Sequence, residues 1–385
     1  MDFDCSPEAK AFGKQVRDVL ERRISPEYPQ WKAANTTPAR MFEILGEEGL
    51  LGFRAEGDGA VRPIPWLLNV HFYSEAAQFS GGLAIAAFAH AQLGLQALCS
   101  FGSEPQRSAL LVPGLEGQKI LAFANTEPGA GSDAAAISLR AERKGDGLVL
   151  NGAKAYITNG DIADHIVLTA VSRPEADKPH ARISMFVVHG EADGLVRKRI
   201  EKHGWKPSHL STLAFRDLSL PEDGLVGEPG RGFYQTMEVF NSSRIGISAL
   251  AFGTALGAYR MAFRHASSRK AFGRTLLEHE SKRNEFAEHL ARLQAAWLLI
   301  QKAAFLRDAG RPFRFHASMA KLFATEEALR TAHWATELFG ARGVLEQHPV
   351  SEYPLDAKLA MIGEGAPEVQ RKIIAENIEE LLESL

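Results

Sequence analysis

The stretch ISLRAERKGDGLVLNGAKAYIT, residues 137–158, decides the fold class. Ile137, Leu139 and Ala141 alternate with Ser138, Arg140 and Glu142. Gly145-Asp146-Gly147 then turns the chain into Leu148, Val149 and Leu150, and Asn151-Gly152 turns it again into residues 153–158. Alternation of period two broken by Asp-Gly and Asn-Gly is a hairpin signal. Strand-like runs recur at 166–171, 183–188 and 213–215, with no helix-length pattern between them. This predicts an antiparallel sheet, sandwich or barrel.

The flanks read differently. Before residue 119, Ser6-Pro7-Glu8 is a helix start, with Phe12, Val16, Val19 and Leu20 on one face, and Thr37-Pro38 repeats the device before Met41 and Leu45. The apolar stretch 76–99 predicts a buried helix broken near Gly81-Gly82. From Gly232 the helical period returns. Phe286, Leu290, Leu293, Trp297, Ile300 and Ala304 form one stripe, and Ala317, Ala320, Ala324, Ala328, Thr331, Ala335 and Leu338 form a seam of mainly small residues, the pattern of an antiparallel bundle. The expected divisions are 1–118 helical, 119–231 β and 232–385 helical, an α+β multidomain chain.

With 45% hydrophobic and 24% charged residues, the 385-residue chain is of ordinary globular composition. Lys plus Arg (44) nearly balances Asp plus Glu (47), which argues against a dedicated nucleic-acid binder. Cys5 and Cys99 offer no disulfide framework, the first ten residues are acidic rather than basic, and the longest apolar run, around 83–89, is too short to span a bilayer. These features predict a cytoplasmic protein with no membrane partner.

Three features carry candidate chemistry. Within TEPGAGSD (126–133), the run Gly129 to Ala134 formally matches a dinucleotide fingerprint, but Pro128 precedes it and strand alternation follows, so the strand-to-helix context that mechanism needs is missing. In IGEG (362–365), Glu364 lies between glycines that permit close backbone approach, and Pro367 then opens a last helix. Arg244 interrupts the apolar stripe Met237, Phe240, Ile247 and Ala251, and is either paired with a buried acid or aimed into a site. The thirteen histidines show no metal-ligand spacing, so no metal is assigned, and no GxSxG elbow is present.

Taken in order, FANTEPGAGSD (123–133), KAYITNG (154–160), the RxxFG element (269–273) and EYPLDAKLAMIGEGAPEVQ (352–370) resemble the acyl-CoA dehydrogenase family over essentially the whole chain. The resemblance implies an N-terminal all-α domain, a central antiparallel β-barrel or sandwich and a C-terminal four-helix bundle, assembled as a homotetramer of two dimers. FAD would lie between the β domain and the bundle, lined by Phe123, Asn125, Thr126, Tyr156 and Thr158. Arg269, Phe272 and Glu280 would reach a cofactor across the interface. Glu337, Gly340, Ala341, Ala366 and Glu368 match further FAD contacts, and Ser132, Asn241, Arg244 and Gly365 match substrate positions.

By the same resemblance Glu364 is the base that takes the α-proton of an acyl-CoA or acyl-carrier-protein thioester. Flavin N5 accepts the β-hydride, and the product is the trans-2-enoyl thioester. Some members place the base where this chain has Ser243, which cannot serve. The Glu364 backbone N–H and a flavin ribityl hydroxyl would stabilise the enolate-like oxygen. Electrons would pass to an electron-transfer flavoprotein. An oxidase or monooxygenase of the same fold and a degenerate non-catalytic subunit are the competing readings.

Several positions depart from the family pattern. Tyr156 replaces a tryptophan beside the flavin, Glu280 and Glu337 replace glutamines, Ala366 replaces a capping Thr or Ser, Leu355 replaces the Arg of RDAK, and RAEGDGA (54–60) replaces a longer segment. The two carboxylates predict weakened FAD binding unless a cation compensates. Gly363 stands where straight-chain enzymes often have Tyr, which predicts room beside the reacting carbons for branched or cyclic acyl groups.

Overall fold

The computed structural model describes residues 6–55, 61–145, 147–221 and 223–383. Residues 1–5, with Cys5, and residues 56–60 of the RAEGDGA segment lie outside that set. Helix α1 (Pro7–Val19) starts as its sequence predicts: Ser6 Oγ accepts from Ala9 N at 3.1 Å, Pro7 follows the cap, and Phe12, Val16 and Val19 are buried. Helix α2 (Ala39–Glu47) departs from expectation. Its N-cap is Pro38 without a side-chain cap, and the Thr37 hydroxyl instead donates to Pro207 O at 3.4 Å, tying this region to the β part.

Helix α3 (Trp66–Phe79) is capped from far along the chain: the Asp308 carboxylate accepts from Trp66 N at 2.8 Å and Leu67 N at 3.0 Å. The predicted break near Gly81-Gly82 falls at Ser80, whose hydroxyl caps α4 (Gly81–Phe88) through Leu83 N. Both glycines belong to the first turn of α4. A Cβ on Gly81 would sit 2.4 Å from Asp356 Oδ2, and one on Gly82 would sit 2.3 Å from the Lys206 carbonyl carbon. They are there for close approach between parts of the chain rather than to break the helix.

Among the described residues, eight strands form one sheet: β1 (Leu121–Ala124), β2 (Arg140–Lys144), β3 (Gly147–Thr158), β4 (His165–Val171), β5 (Ile183–His189), β6 (Leu195–Arg199), β7 (Leu210–Leu220) and β8 (Leu225–Val226). The order is β8-β5-β4-β2-β3-β7-β6, with β1 on β4. The path ends at β8 and β6, so the sheet is open and not the barrel allowed by the sequence. It is not wholly antiparallel either, because β1 pairs with β4 in parallel. A second correction concerns Asn151-Gly152, which is a bulge inside the continuous strand β3 rather than a turn. Gly152 has φ +141°, and a Cβ there would lie 3.0 Å from Leu139 Cα, while Asn151 Nδ2 donates to Asp217 Oδ1 on β7 at 3.0 Å.

The helical period returns at α5 (Gly232–Ser268), followed by α6 (Glu280–Asp308), α7 (Arg314–Phe339), α8 (Tyr353–Ile362) and α9 (Pro367–Ala375). Ala317, Ala320, Ala324, Ala328 and Ala332 of α7 share a buried core with Ala249, Ala251 and Ala255 of α5, which lets the backbones approach. Leu290, expected on the α6 stripe, faces outward at 52% exposure. Two helical stretches, Gly81–Phe101 and Gly232–Ser268, are long and apolar enough to cross a membrane by length and composition, contrary to the reading of the apolar runs. Their most apolar windows are 94% and 78% buried within the fold.

Candidate active site

The turn between α8 and α9 is short and left-handed. Gly363 caps α8, Glu364 has φ +57° and Gly365 φ +93°, and Ala366 precedes α9 without a side-chain cap, as its residue type predicts. A glutamate in this region carries strain of order 1–3 kcal/mol and persists only where its surroundings over-determine it. Two side chains do so. Lys321 Nζ donates to Met361 O at 2.7 Å and Gly365 O at 2.6 Å, and Gln370 Nε2 donates to Glu364 O at 3.1 Å and Gly365 O at 2.8 Å. The carbonyls of the turn therefore face inward, while the Glu364 N–H meets no acceptor among the described residues.

The Glu364 carboxylate accepts a hydrogen bond from Ser243 Oγ on α5. Burial raises its pKa above the usual carboxylate range, and Ser243, Arg244 and Lys321 pull the other way. Arg244 is 4% exposed and bonds Asn241 Oδ1 at 2.6 Å, while its Nε has no partner. Burial lowers its pKa to about 10, Arg314 adds to that, and Glu364 opposes it. Both readings of Arg244 find support here: it interacts electrostatically with the buried Glu364 carboxylate, and its Nε is left without a partner.

The first motif reaches this place through β1. Phe123, 7% exposed, packs edge-on to Phe240 of α5 with ring centroids 5.9 Å apart, one turn from Ser243. Beyond Phe123 the TEPGAGSD segment makes a tight turn, with Glu127 N to Ala130 O at 3.0 Å and the reverse bond at 3.2 Å, and no helix follows. Nothing lies within 4 Å of a Cβ placed on Gly129 or Gly131, so this chain's own packing does not demand glycine there. Below the turn Lys154 Nζ, wholly buried, holds Glu127 Oε1 at 2.9 Å and Asn125 O at 2.9 Å, and Thr169 Oγ1 donates to Asn125 Oδ1 at 2.8 Å. Tyr156 has φ +59° and is 64% exposed, Thr126 and Thr158 are half-buried, and Ser132 is exposed.

The remaining candidates do not join this group within one chain. Arg269 ends α5, about 39 Å along the helix from Ser243 at 1.5 Å per residue. Phe272 is 98% exposed on the hairpin that follows, and Glu280 begins α6. Glu337, Gly340 and Ala341 lie at the matching end of α7, Gly340 with φ +58°. This outer region is cationic: His265, stacked on Phe339, is held below its usual pKa by burial and then by Arg269, Arg342 and His348. An exposed aromatic and a cluster of cations suit a dinucleotide with its diphosphate, and Arg342 is a cation of the kind that Glu337 and Glu280 require.

Lys321, Gln370 and Arg342 were not singled out from sequence. Lys321 carried a usable signal, a charge within the alanine seam of α7, the same kind of interruption that marked Arg244.

Fold and site together define a flavin-dependent oxidoreductase. Three family models match: "Acyl-CoA dehydrogenase, N-terminal domain" over residues 6–118, the middle domain over 122–218 and the C-terminal domain over 230–379. The short-chain specific acyl-CoA dehydrogenase of Clostridium acetobutylicum is 32% identical over 381 residues, covering 98% of this chain and 100% of that protein. Butyryl-CoA dehydrogenase from Megasphaera elsdenii superposes with a TM-score of 0.91 at 31% identity, covering 98% of this chain and 100% of that one. A solved structure named for the electron transferring flavoprotein of Acidaminococcus fermentans superposes with a TM-score of 0.92 at 30% identity, covering 98% and 99%. The chain belongs to the acyl-CoA dehydrogenase family, whose cofactor is FAD and whose reaction is acyl-CoA dehydrogenation.

Proposed function

We propose that the chain removes the α-proton of an acyl-CoA with Glu364 and desaturates the α,β-bond to the trans-2-enoyl thioester. The observation that carries this reading is a carboxylate on a pinned left-handed turn, buried enough to raise its pKa and held by Ser243. A base with a raised pKa is matched to a weakly acidic proton. The Glu364 N–H, which meets no acceptor among the described residues, is available to donate to the thioester oxygen, where charge develops as the proton leaves. FAD, when bound, supplies the acceptor for the β-hydride. Phe123, Asn125, Thr126, Tyr156 and Thr158 would hold its flavin end, with Ala366 and Glu368 beside the base. Ser132, Asn241, Arg244 and Gly365 would hold the thioester and its pantetheine arm.

Arg269, Phe272, Glu280, Glu337, Gly340 and Ala341 sit too far from the base to serve the same cofactor, so in this reading they complete a neighbour's site in a homotetramer. The division into 1–118, 119–231 and 232–385, the cytoplasmic location and an electron-transfer flavoprotein as acceptor belong to the same proposal, the last supported by the likeness to the A. fermentans structure. On the substrate side, a Cβ on Gly363 would lie 3.9 Å from Trp205 Cη2. An indole therefore lies beside the space that the missing tyrosine leaves, and the likeness to short-chain and butyryl-CoA enzymes supports a short acyl group.

Anaerobic addition of butyryl-CoA should bleach the flavin, and Glu364→Gln should keep fold and flavin colour while losing bleaching by several orders of magnitude. A Glu364→Gln protein that still bleaches at the wild-type rate would remove Glu364 from the role. Little peroxide in air would separate the dehydrogenase from the oxidase reading.

A further inference from the structure

Lys321 is a fully buried cation that the reaction as described does not use. It projects from the N-terminal third of α7 into the turn that bears Glu364, and its two acceptors lie on either side of that residue: Met361 O in the last turn of α8 and Gly365 O just after Glu364. We infer that Lys321 is a positioning residue for the base, fixing the left-handed turn through these two carbonyls and placing a positive charge behind the Glu364 carboxylate. The inference rests on the reading of Glu364 as the base.

Three observations support it. A left-handed glutamate needs external restraint, and among the described residues Lys321 is the donor to the turn that bridges both flanks. The alternative, a lysine that merely caps the C-terminus of α8, would need Met361 O but not Gly365 O. The charged groups facing Lys321 are Glu364 from the turn, Arg244 from α5 and Glu368 from α9, so a carboxylate on the turn is among its main electrostatic partners. Burial lowers the Lys321 pKa to about 7, with Arg244 acting in the same direction and the two glutamates opposing. A neutral amine still has two hydrogens for the two carbonyls, so the turn stays anchored even where the charge is lost.

The test compares wild type, Lys321→Met, Gln370→Leu and Glu364→Gln as FAD-loaded proteins, using pH profiles of kcat and kcat/KM for butyryl-CoA with melting temperature and flavin content. Lys321→Met should lower kcat about 10–100-fold with KM nearly unchanged. It should also move the acidic limb of kcat/KM upward by about one unit, because a cation that favours ionised Glu364 is gone. Gln370→Leu should lower kcat without moving the limb. A Lys321→Met protein that melts lower but keeps the wild-type limb and kcat would reduce Lys321 to a structural cap and overturn the inference. If Lys321→Met does not fold, Lys321→Gln, which keeps amide donors for the turn without the charge, decides: a raised acidic limb upholds the inference, and a wild-type limb with wild-type kcat overturns it. A fully active Glu364→Gln would instead show that the base itself was misassigned.

Discussion

Ser243 Oγ donates a hydrogen bond to the Glu364 carboxylate, joining α5 to the turn before α9 across 121 residues of sequence. In the proposed reading, Ser243 therefore supports Glu364 as the base rather than competing with it for that role. A donor to a carboxylate stabilises its ionised form, so this bond lowers the Glu364 pKa against the upward push of burial. In Ser243→Ala the pKa should rise, and less Glu364 is ionised at a given pH. The acidic limb of kcat/KM should move up by roughly half a unit to one unit, with activity recovered at higher pH. An unmoved limb would show that the Ser243 bond does not set the ionisation of Glu364 in the free enzyme.

Trp205 has φ +53° and is held there by several bonds: its N–H donates to Asp356 Oδ1 at 2.5 Å, and its carbonyl accepts from Lys202 Nζ at 2.6 Å and Ser208 Oγ at 2.7 Å. A fixed indole beside Gly363 should restrict the acyl group. Trp205→Phe should therefore raise the kcat/KM ratio of isobutyryl-CoA to butyryl-CoA several-fold. A substrate panel with the wild-type ratio would place the limit elsewhere.

Glu337 and Glu280 put carboxylates in the outer region, where Arg269 and Arg342 supply positive charge. Glu337→Gln should bind FAD several-fold more tightly and Arg342→Ala more weakly, with both differences shrinking at high salt. Titration of apoprotein with FAD, followed by flavin fluorescence, measures this without turnover. Equal affinities in all three proteins would show that the diphosphate lies away from these side chains.

Asp356 is buried between α4 and Trp205, and burial raises its pKa to about 7, with the Trp205 N–H opposing and Glu352 adding. Its folded pKa therefore lies above the unfolded value near 4. The contribution to stability is complete below pH 4 and is lost as pH rises through about 7. Asp356→Asn, which keeps the acceptor for Trp205 N–H, should gain on wild type in melting temperature between pH 5 and pH 9. Parallel melting curves across that range would contradict the burial argument.

The α, β, α layout was legible because hydrophobic period is a local property: residues 137–158 alternate, and the seam of α7 does not. Turn chemistry was less reliable. Asn151-Gly152 has the composition of a hairpin turn, yet β7 pairs along both sides of it and converts it to a bulge. Gly81-Gly82 looked like a break, but the demand for glycine comes from Asp356 and Lys206, which are distant in sequence.

The same division runs through the site. Sequence by itself determined the elements, the motifs, Glu364 as an acid between two glycines and Arg244 as a charge on an apolar stripe, because residue type and spacing are written along the chain. Tertiary structure alone decided that Glu364 is left-handed, that Ser243 holds its carboxylate, that Lys321 and Gln370 anchor its turn and that the Trp205 indole lies beside Gly363. Each of these is a contact between segments separated along the chain or a backbone state fixed by such contacts, and a proton affinity set by burial and neighbouring charge exists only once those segments meet.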